Sequence, residues 1–298
     1  IFSSIADNIT APLVSAALIL SLNLEAKKTL RFAALVVFAV NSGGVALITG
    51  DVTTLMIFLS GHVSVLQLLY LSMPALIGVV ALTLMLSFGL KGEVLIEKKI
   101  TPIRRVDLII AAVFLSTILL TITFNALFHI PPMLTFLAGM SLMFLVARFF
   151  DDDNEDPIMD YIRVIEFETL LFFLGILLLV GMLKEIGVLE SLVSLYEVMP
   201  PVLANYLMGV LSAGIDNVPL TAAVLKSGIH MSTQEWMGLT YAVGVGGSLL
   251  VIGSAAGIVM MSKIGALTFG RYVRFILPLL IAYTIGYAGA WVLGHWMF

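Results

Sequence analysis

Three aspartates lie inside stretches of sequence that are otherwise apolar, and these are Asp7, Asp51 and Asp216. An ionisable side chain at membrane depth is costly, and its presence usually marks a functional site. Asp7 and Asp216 each precede an asparagine, and we expect them at hairpin tips; Asp51 follows a Gly-Gly pair. All three are therefore expected at irregular backbone. A second interpretation stays open, because aspartate and asparagine are also preferred as helix N-caps.

The surrounding residues supply hard oxygen ligands. Carboxylate, amide and hydroxyl oxygens suit Na⁺, Li⁺ or similar cations rather than soft metals. Competition between a proton and a cation for one carboxylate set is sufficient for cation/proton exchange. We expect the principal site in the first half, because Asp51 aligns there with Ser254 of the second half. Na⁺ is expected to bind at Asp7, Asn8, Asn41 and Asp51. Further oxygens come from Thr49, Thr53, Thr54, Asn217, Ser248 and Ser254.

The composition indicates which elements must position these side chains. Of the 298 residues, 60% are hydrophobic and 11% are charged, and the mean hydropathy is +1.12. A soluble domain has about 25% charged residues, so we expect an all-α polytopic protein surrounded by membrane lipid. The net charge of −4 argues against nucleic-acid binding, and the absence of cysteine excludes disulfides and thiolate chemistry. Candidate spans cover residues 30–59, 65–90, 107–127, 132–149, 163–183, 236–262 and 272–294, with interruptions at 41–44 and 244–254.

The basic residues orient these spans. When the loop at 25–31 is placed in the cytoplasm, 13 of the 15 lysines and arginines fall on the cytoplasmic side. Only Lys184 and Lys226 fall outside. This asymmetry follows the positive-inside rule, and it predicts a multi-pass protein whose basic loops are cytoplasmic.

Two parts of the chain repeat each other. Residues 5–17 read IADNITAPLVSAA and residues 214–223 read GIDNVPLTAA, while residues 41–51 read NSGGVALITGD and residues 244–254 read GVGGSLLVIGS. An odd number of spans separates the copies, so the second copy is expected to be inverted. Inverted repeats with two re-entrant hairpins and two broken helices are typical of secondary transporters. Chance similarity among glycine-rich helices is the alternative.

The repeat predicts how the chain is divided. The first copy is expected over residues 1–100 and the second, inverted copy over residues 101–298. The second copy has spans ahead of its hairpin that the first copy lacks. We therefore expect about 100 further residues ahead of residue 1 in an intact protein of this type.

Residues 41–62 (NSGGVALITGDVTTLMIFLSGH) and 212–225 (SAGIDNVPLTAAVL) resemble the NhaD-type sodium/proton antiporters of the ion transporter superfamily. The resemblance implies exchange of Na⁺ or Li⁺ for H⁺ by a homodimer in the bacterial inner membrane. It implies no enzyme activity, and no cofactor besides the transported ions. By motif match it assigns the ion site to Asp7, Asn8, Asn41, Asp51, Thr53, Thr54, Ser212, Asp216, Asn217 and Ser254.

Three further titratable residues are candidates for pH sensing or for a proton path. His62 ends the 41–62 motif, and imidazole titrates near neutral pH. Glu166 and Glu168 begin the 163–183 span on the cytoplasmic side. Ordinary interfacial placement is the open alternative for all three.

Three other functions remain as alternatives. A sodium-coupled carrier of organic anions, of the dicarboxylate type, would use the same fold, although the acidic tips would repel such a substrate. An intramembrane enzyme would need a nucleophile with its base or a cluster of histidines; the four histidines all fall near span ends. A channel fits duplicated broken helices less well than alternating access does.

Overall fold

The computed structural model describes residues 2–90, 105–128, 130–150 and 185–297, together with positions 171, 174, 175, 178, 181 and 182. Within these residues every regular element is a helix, as the composition predicts. The first six helices are α1 (Phe2–Ser21), α2 (Ala26–Gly44), α3 (Val52–Leu59), α4 (Val65–Ser87), α5 (Arg105–Phe128) and α6 (Pro132–Phe150). The later ones are α7 (Val188–Val193), α8 (Leu195–Val198), α9 (Pro201–Leu211), α10 (Asn217–Lys226), α11 (Thr233–Gly246), α12 (Ala255–Lys263), α13 (Phe269–Tyr272) and α14 (Ile276–Met297).

The helices follow the apolar runs of the sequence closely. The expected spans at 65–90, 107–127 and 132–149 correspond to α4, α5 and α6. In the part of the chain that the structure describes, two helical segments, Val65–Ser87 and Phe269–Trp296, are long and apolar enough to cross a membrane on their own. The 163–183 span lies largely outside the described residues.

The chain divides into two compact units. One contains residues 96–174, in which α5 packs against α6. Its helices approach closely because Gly139 faces Thr117, and a Cβ at Gly139 would lie 2.8 Å from Thr117 Cβ. The other unit contains residues 1–95 and 175–298. It holds every described residue that the sequence assigns to the ion site.

Two helices of the larger unit are broken at matching positions. The first break separates α2 from α3, and the second separates α11 from α12, where a 3-10 turn covers Gly247–Leu249. A Cβ at Gly50 would lie 2.7 Å from the carbonyl oxygen of Gly44, and one at Gly253 would lie 2.7 Å from that of Gly247. Glycine is therefore required because the backbone folds back on itself at each break.

The second break lies within the expected residues 244–254, but the first break does not lie where it was expected. The interruption predicted at 41–44 is wrong, because α2 continues through Gly44 and the break follows it. Gly43 and Gly44 are still helical, with Gly44 the last residue of α2, and they allow α1 to pack closely against this helix. A Cβ at Gly43 would lie 3.1 Å from Ser3 Cβ, and the Ser4 hydroxyl donates to the Gly43 carbonyl at 2.7 Å.

The two polar segments also differ from each other. The segment around Asp216 is a turn between α9 and α10, so the expected irregular backbone is present there. Asp7 and Asn8 instead lie within α1, so the prediction of irregular backbone there is wrong. Packing explains the difference, because α1 lies along α2 and α12 and is tied to α2 by Ser3, whose hydroxyl donates to the Val40 carbonyl at 2.6 Å.

Tyrosines of α14 hold α9 in place. The Tyr283 and Tyr287 hydroxyls of α14 donate to the backbone carbonyls of Tyr206 and Val202 in α9, at 2.9 and 2.6 Å. A buried hydroxyl must find such a partner to avoid a desolvation penalty. Gly246 lets α9 approach α11, since a Cβ there would overlap the Gly209 carbonyl.

Candidate functional site

Asp51 is the centre of a polar cluster in the larger unit. It is the N-cap residue of α3, and its side chain is only 8% exposed. Its Oδ2 accepts hydrogen bonds from Thr53 Oγ1 at 2.6 Å and from Asn217 Nδ2 at 3.0 Å. Asn217 is the first residue of α10, so a contact across 166 positions joins the two polar segments.

The carboxylate of Asp51 is held mainly by side chains rather than by the backbone of its own helix. The backbone N–H groups of Val52 and Thr53 face it without reaching capping geometry. No lysine, arginine or histidine forms an ion pair with Asp51 in the part of the chain that the structure describes. A buried carboxylate without a counter-ion is unusual in proteins, so Asp51 is the strongest candidate among the described residues for binding a cation or a proton.

Asp216 has a different role. Its side chain accepts a hydrogen bond from the Val218 backbone N–H at 3.2 Å and so caps α10. This contact agrees with the alternative interpretation of Asp216 as a helix N-cap. Asp216 is only half-buried, yet it lies near enough to Asp51 for the two negative charges to repel each other.

A second cross-contact lies at the other broken helix. Asn41 Nδ2 of α2 donates to Ser254 Oγ at 2.9 Å. Ser254 is the N-cap of α12, and the same oxygen accepts from the Gly257 backbone N–H at 3.3 Å. The backbone angles at Asp51 (φ −149°, ψ 140°) and Ser254 (φ −150°, ψ 152°) are closely similar, which agrees with their alignment in the sequence repeat.

Among the described residues, two amide oxygens are buried without a hydrogen-bond donor. They are Asn8 Oδ1 and Asn41 Oδ1. A Cβ placed on Gly44 would lie 3.1 Å from Asn8 Oδ1 and 3.2 Å from Asp51 Cβ, so Asn8 and Asp51 face the same glycine. Leaving a buried acceptor unpaired costs about 1–3 kcal/mol. A cation bound beside Asp51 would satisfy the Asn8 oxygen, whereas Asn41 contacts Ser254 through its Nδ2.

Four other predicted site residues form hydrogen bonds to backbone carbonyls. Ser212 Oγ donates to the Val243 carbonyl at 2.9 Å, and Thr54 Oγ1 reaches the Gly44 carbonyl at 3.4 Å. Thr49 Oγ1 donates to the Ser4 carbonyl at 2.8 Å and Ser248 Oγ to the Val245 carbonyl at 2.6 Å. These hydroxyls hold backbone in place, and the structure does not bring them to the Asp51 carboxylate.

Some candidates lie apart from the cluster or outside the described residues. His62 follows α3 and stacks on Trp236, with ring centroids 3.8 Å apart. Burial lowers the pKa of His62. Glu166, Glu168 and the side chain of Asp7 lie outside the part of the chain that the structure describes.

Gly244 belongs to the cluster although the sequence analysis did not select it. A Cβ there would lie 3.5 Å from Asp51 Oδ2 and 2.4 Å from Val45 Cγ1. The sequence repeat could have identified Gly244, because it aligns with Asn41. Position 41 contacts the N-cap of the second broken helix, so position 244 is expected beside the N-cap of the first.

Comparison with known proteins supports a transport function. The sequence model of the citrate transporter family (CitMHS) matches residues 1–244. The chain is 33% identical to the Na(+)/H(+) antiporter NhaD of Vibrio cholerae, over 99% of this chain and 69% of that protein. It is also 33% identical to NhaD of Vibrio parahaemolyticus, over 92% of this chain and 74% of that protein.

A plant protein shows the same similarity. Sodium/proton antiporter 1 of Arabidopsis thaliana is 30% identical over 87% of this chain and 48% of its own length. The chain thus spans between about half and three quarters of the curated relatives it matches. The resemblance to NhaD-type antiporters that the sequence motifs predict is confirmed by these comparisons.

Proposed function

The chain belongs to the citrate transporter family, and we propose that it is a secondary active transporter that exchanges Na⁺ or Li⁺ for H⁺. The named relatives are sodium/proton antiporters. The observation that carries the proposal is the buried Asp51 carboxylate, which accepts from Thr53 and Asn217 but has no ion pair among the described residues.

The exchange follows from competition at one carboxylate. A proton neutralises Asp51 when the site is empty of metal, and a bound cation favours its ionised form and displaces the proton. Thr53 and Asn217 fix the orientation of Oδ2 in both states. Asn8 and Asn41 contribute the amide oxygens that lack donors. Asp7 and Asp216 add negative charge to this ion site, and Thr54, Ser212 and Ser254 fix the backbone around it.

The transport cycle we propose is alternating access between two inverted repeats. The matched backbone angles at Asp51 and Ser254 and the matched glycine contacts at the two breaks support it. Broken helices at membrane depth are typical of this transporter class, because irregular backbone is tolerated only where it lines a cavity or is buried in protein. The repeat boundaries, near residue 100, belong to this proposal.

The setting we propose is the inner membrane of a bacterium. The basic loops face the cytoplasm under the positive-inside rule, and the protein is a multi-pass homodimer. It is not an enzyme, and Na⁺, Li⁺ and H⁺ are its transported substrates rather than cofactors. His62, Glu166 and Glu168 are proposed for pH sensing or for a proton path.

A carrier of organic anions is less favoured. Asp51 would repel a dicarboxylate, and no basic side chain is paired with it among the described residues. A dicarboxylate substrate normally requires arginine or lysine partners, or helix N-termini, for its charges. The named relatives above are also cation antiporters.

Proton flux in everted membrane vesicles containing the full-length protein tests the function. Na⁺, Li⁺, K⁺ and dicarboxylates are added separately over a range of pH. We expect Na⁺ or Li⁺ to release the stored proton gradient, and vesicles without the protein give the background. Transport elicited by dicarboxylates but not by Na⁺ or Li⁺ would contradict the antiporter assignment.

A further inference from the structure

The N-cap residue of each broken helix is held by an asparagine from the other half of the chain. Asn217 of α10 donates to Asp51, and Asn41 of α2 donates to Ser254. All four side chains are buried, with exposures between 1% and 8%. Each half therefore donates an amide hydrogen bond to the other half. The two accepting residues, Asp51 and Ser254, are aligned in the sequence repeat.

The two contacts are not equivalent within the repeat. Asn217 aligns with Asn8, whereas Asn41 aligns with Gly244. Gly244 places no side chain beside Asp51, and the amide that faces this carboxylate comes from the hairpin. At the second break the facing amide comes from the broken helix α2 itself.

The chemistry of the two N-caps differs more than their backbone does. A serine hydroxyl has two acceptor lone pairs, and a carboxylate has about four. The Ser254 hydroxyl accepts from Asn41 Nδ2 and from the Gly257 N–H, so both of its lone pairs are used. Thr53 and Asn217 use only two acceptor positions of Asp51, whose negative charge also has no ion-pair partner among the described residues.

We propose that each chain binds a single exchangeable cation, at the Asp51 half, and that the Ser254 half, whose N-cap is a neutral hydroxyl that already accepts from Asn41, binds none. This inference rests on the proposed function and specifies how many ions the site takes. The backbone at the Ser254 N-cap resembles that at Asp51, but the Ser254 side chain is neutral and already accepts two hydrogen bonds. The number of cations bound per chain then equals the number of carboxylates at positions 51 and 254.

Equilibrium binding of radioactive Na⁺ to the purified full-length protein counts these sites directly. The wild type is expected to bind one Na⁺ per chain, and Asp51→Ser none. Ser254→Asp is expected to bind two, because its carboxylate keeps the Asn41 donor and gains free acceptor positions. Ser254→Asn has the size of Ser254→Asp without the charge, so a second Na⁺ that binds to Ser254→Asp but not to Ser254→Asn is due to the added carboxylate.

The double variant Asp51→Ser with Ser254→Asp gives a test by rescue. It moves the carboxylate to the other half. We expect it to bind one Na⁺ per chain, whereas Asp51→Ser alone binds none. A structural role of Asp51 alone would not produce this rescue. If Ser254→Asp does not fold, the number of Na⁺ ions bound by the wild type and by Asp51→Ser still tests whether Asp51 forms the single cation site.

Two Na⁺ bound per wild-type chain, or one retained by Asp51→Ser, would overturn the proposal. So would a folded Ser254→Asp that binds only one. These results are distinguishable from failure of the proposed function, which would appear as a wild type that moves no protons in response to Na⁺ or Li⁺.

Discussion

Asp51 and Asp216 are both N-cap aspartates, yet their carboxylates are used differently. Asp216 accepts from the backbone of its own helix, whereas Asp51 accepts from the side chains of Thr53 and Asn217. A cap that is satisfied by backbone stabilises a helix. A carboxylate that is oriented by side chains, and has no described counter-ion, remains able to bind a proton or a cation.

The contrast between Thr53 and Thr54 gives a matched test at the residue scale. Thr53 donates to Asp51, while its neighbour Thr54 donates to a backbone carbonyl. We expect Thr53→Val to raise the Na⁺ concentration for half-maximal exchange about 10- to 100-fold, since a hydrogen bond to a charged group contributes about 1.5–3 kcal/mol. Thr54→Val should leave that concentration nearly unchanged. Equal effects of the two variants in vesicle flux assays would contradict the assigned role of Thr53.

Asn217 is expected to be more sensitive to charge than to size. Asn217→Asp keeps the shape but places a second carboxylate against Asp51, at the position of a donor now 3.0 Å away. We expect it to abolish exchange at alkaline pH through charge repulsion. The control is Thr221→Val in the same helix, whose hydroxyl only donates to the Asn217 backbone carbonyl. Vesicle flux at several pH values measures both, and full exchange in Asn217→Asp would show that its amide is not part of the site.

At the scale of elements, long apolar runs predicted the helices well, and tertiary packing decided the rest. The bounds of α4, α5 and α6 follow from hydropathy. The continuity of α1 through Asp7 could not be predicted from the repeat, because the packing of α1 against α2 and α12 overrides the local preference of Asp-Asn for turns. The pairing of Asn217 with Asp51 could not be predicted either, since hydrophobic periodicity carries no information about which distant polar side chains meet.

The glycines at the two breaks provide a test of the broken-helix geometry. Gly50→Ala and Gly253→Ala each place a methyl group 2.7 Å from a backbone carbonyl oxygen that cannot easily move. We expect each to destabilise the protein by about 1–3 kcal/mol, as overpacking does. Gly265→Ala has open space around its Cβ and serves as the control. Thermal unfolding in detergent should show lower midpoints for the first two variants only; unchanged midpoints would contradict the tight turn.

At the scale of the whole molecule, the distribution of basic residues predicts a fixed orientation in the membrane. These 298 residues lack cysteine, so a single cysteine introduced among them is the one maleimide target in this part of the protein. Ser60 and Glu25 are both exposed but lie at opposite ends of the first broken helix. In intact cells we expect a membrane-impermeant maleimide to label Ser60→Cys and not Glu25→Cys, and to label both after the cells are opened. The reverse pattern would contradict the positive-inside orientation.

The central claim is that one carboxylate, Asp51, binds either the proton or the cation. The most direct measurement is the number of protons released when Na⁺ is added to the purified full-length protein in weakly buffered solution. We predict that Na⁺ releases protons from the wild type and that Asp51→Asn, which keeps the side-chain shape but cannot ionise, releases none. Undiminished proton release from a folded Asp51→Asn would contradict the claim.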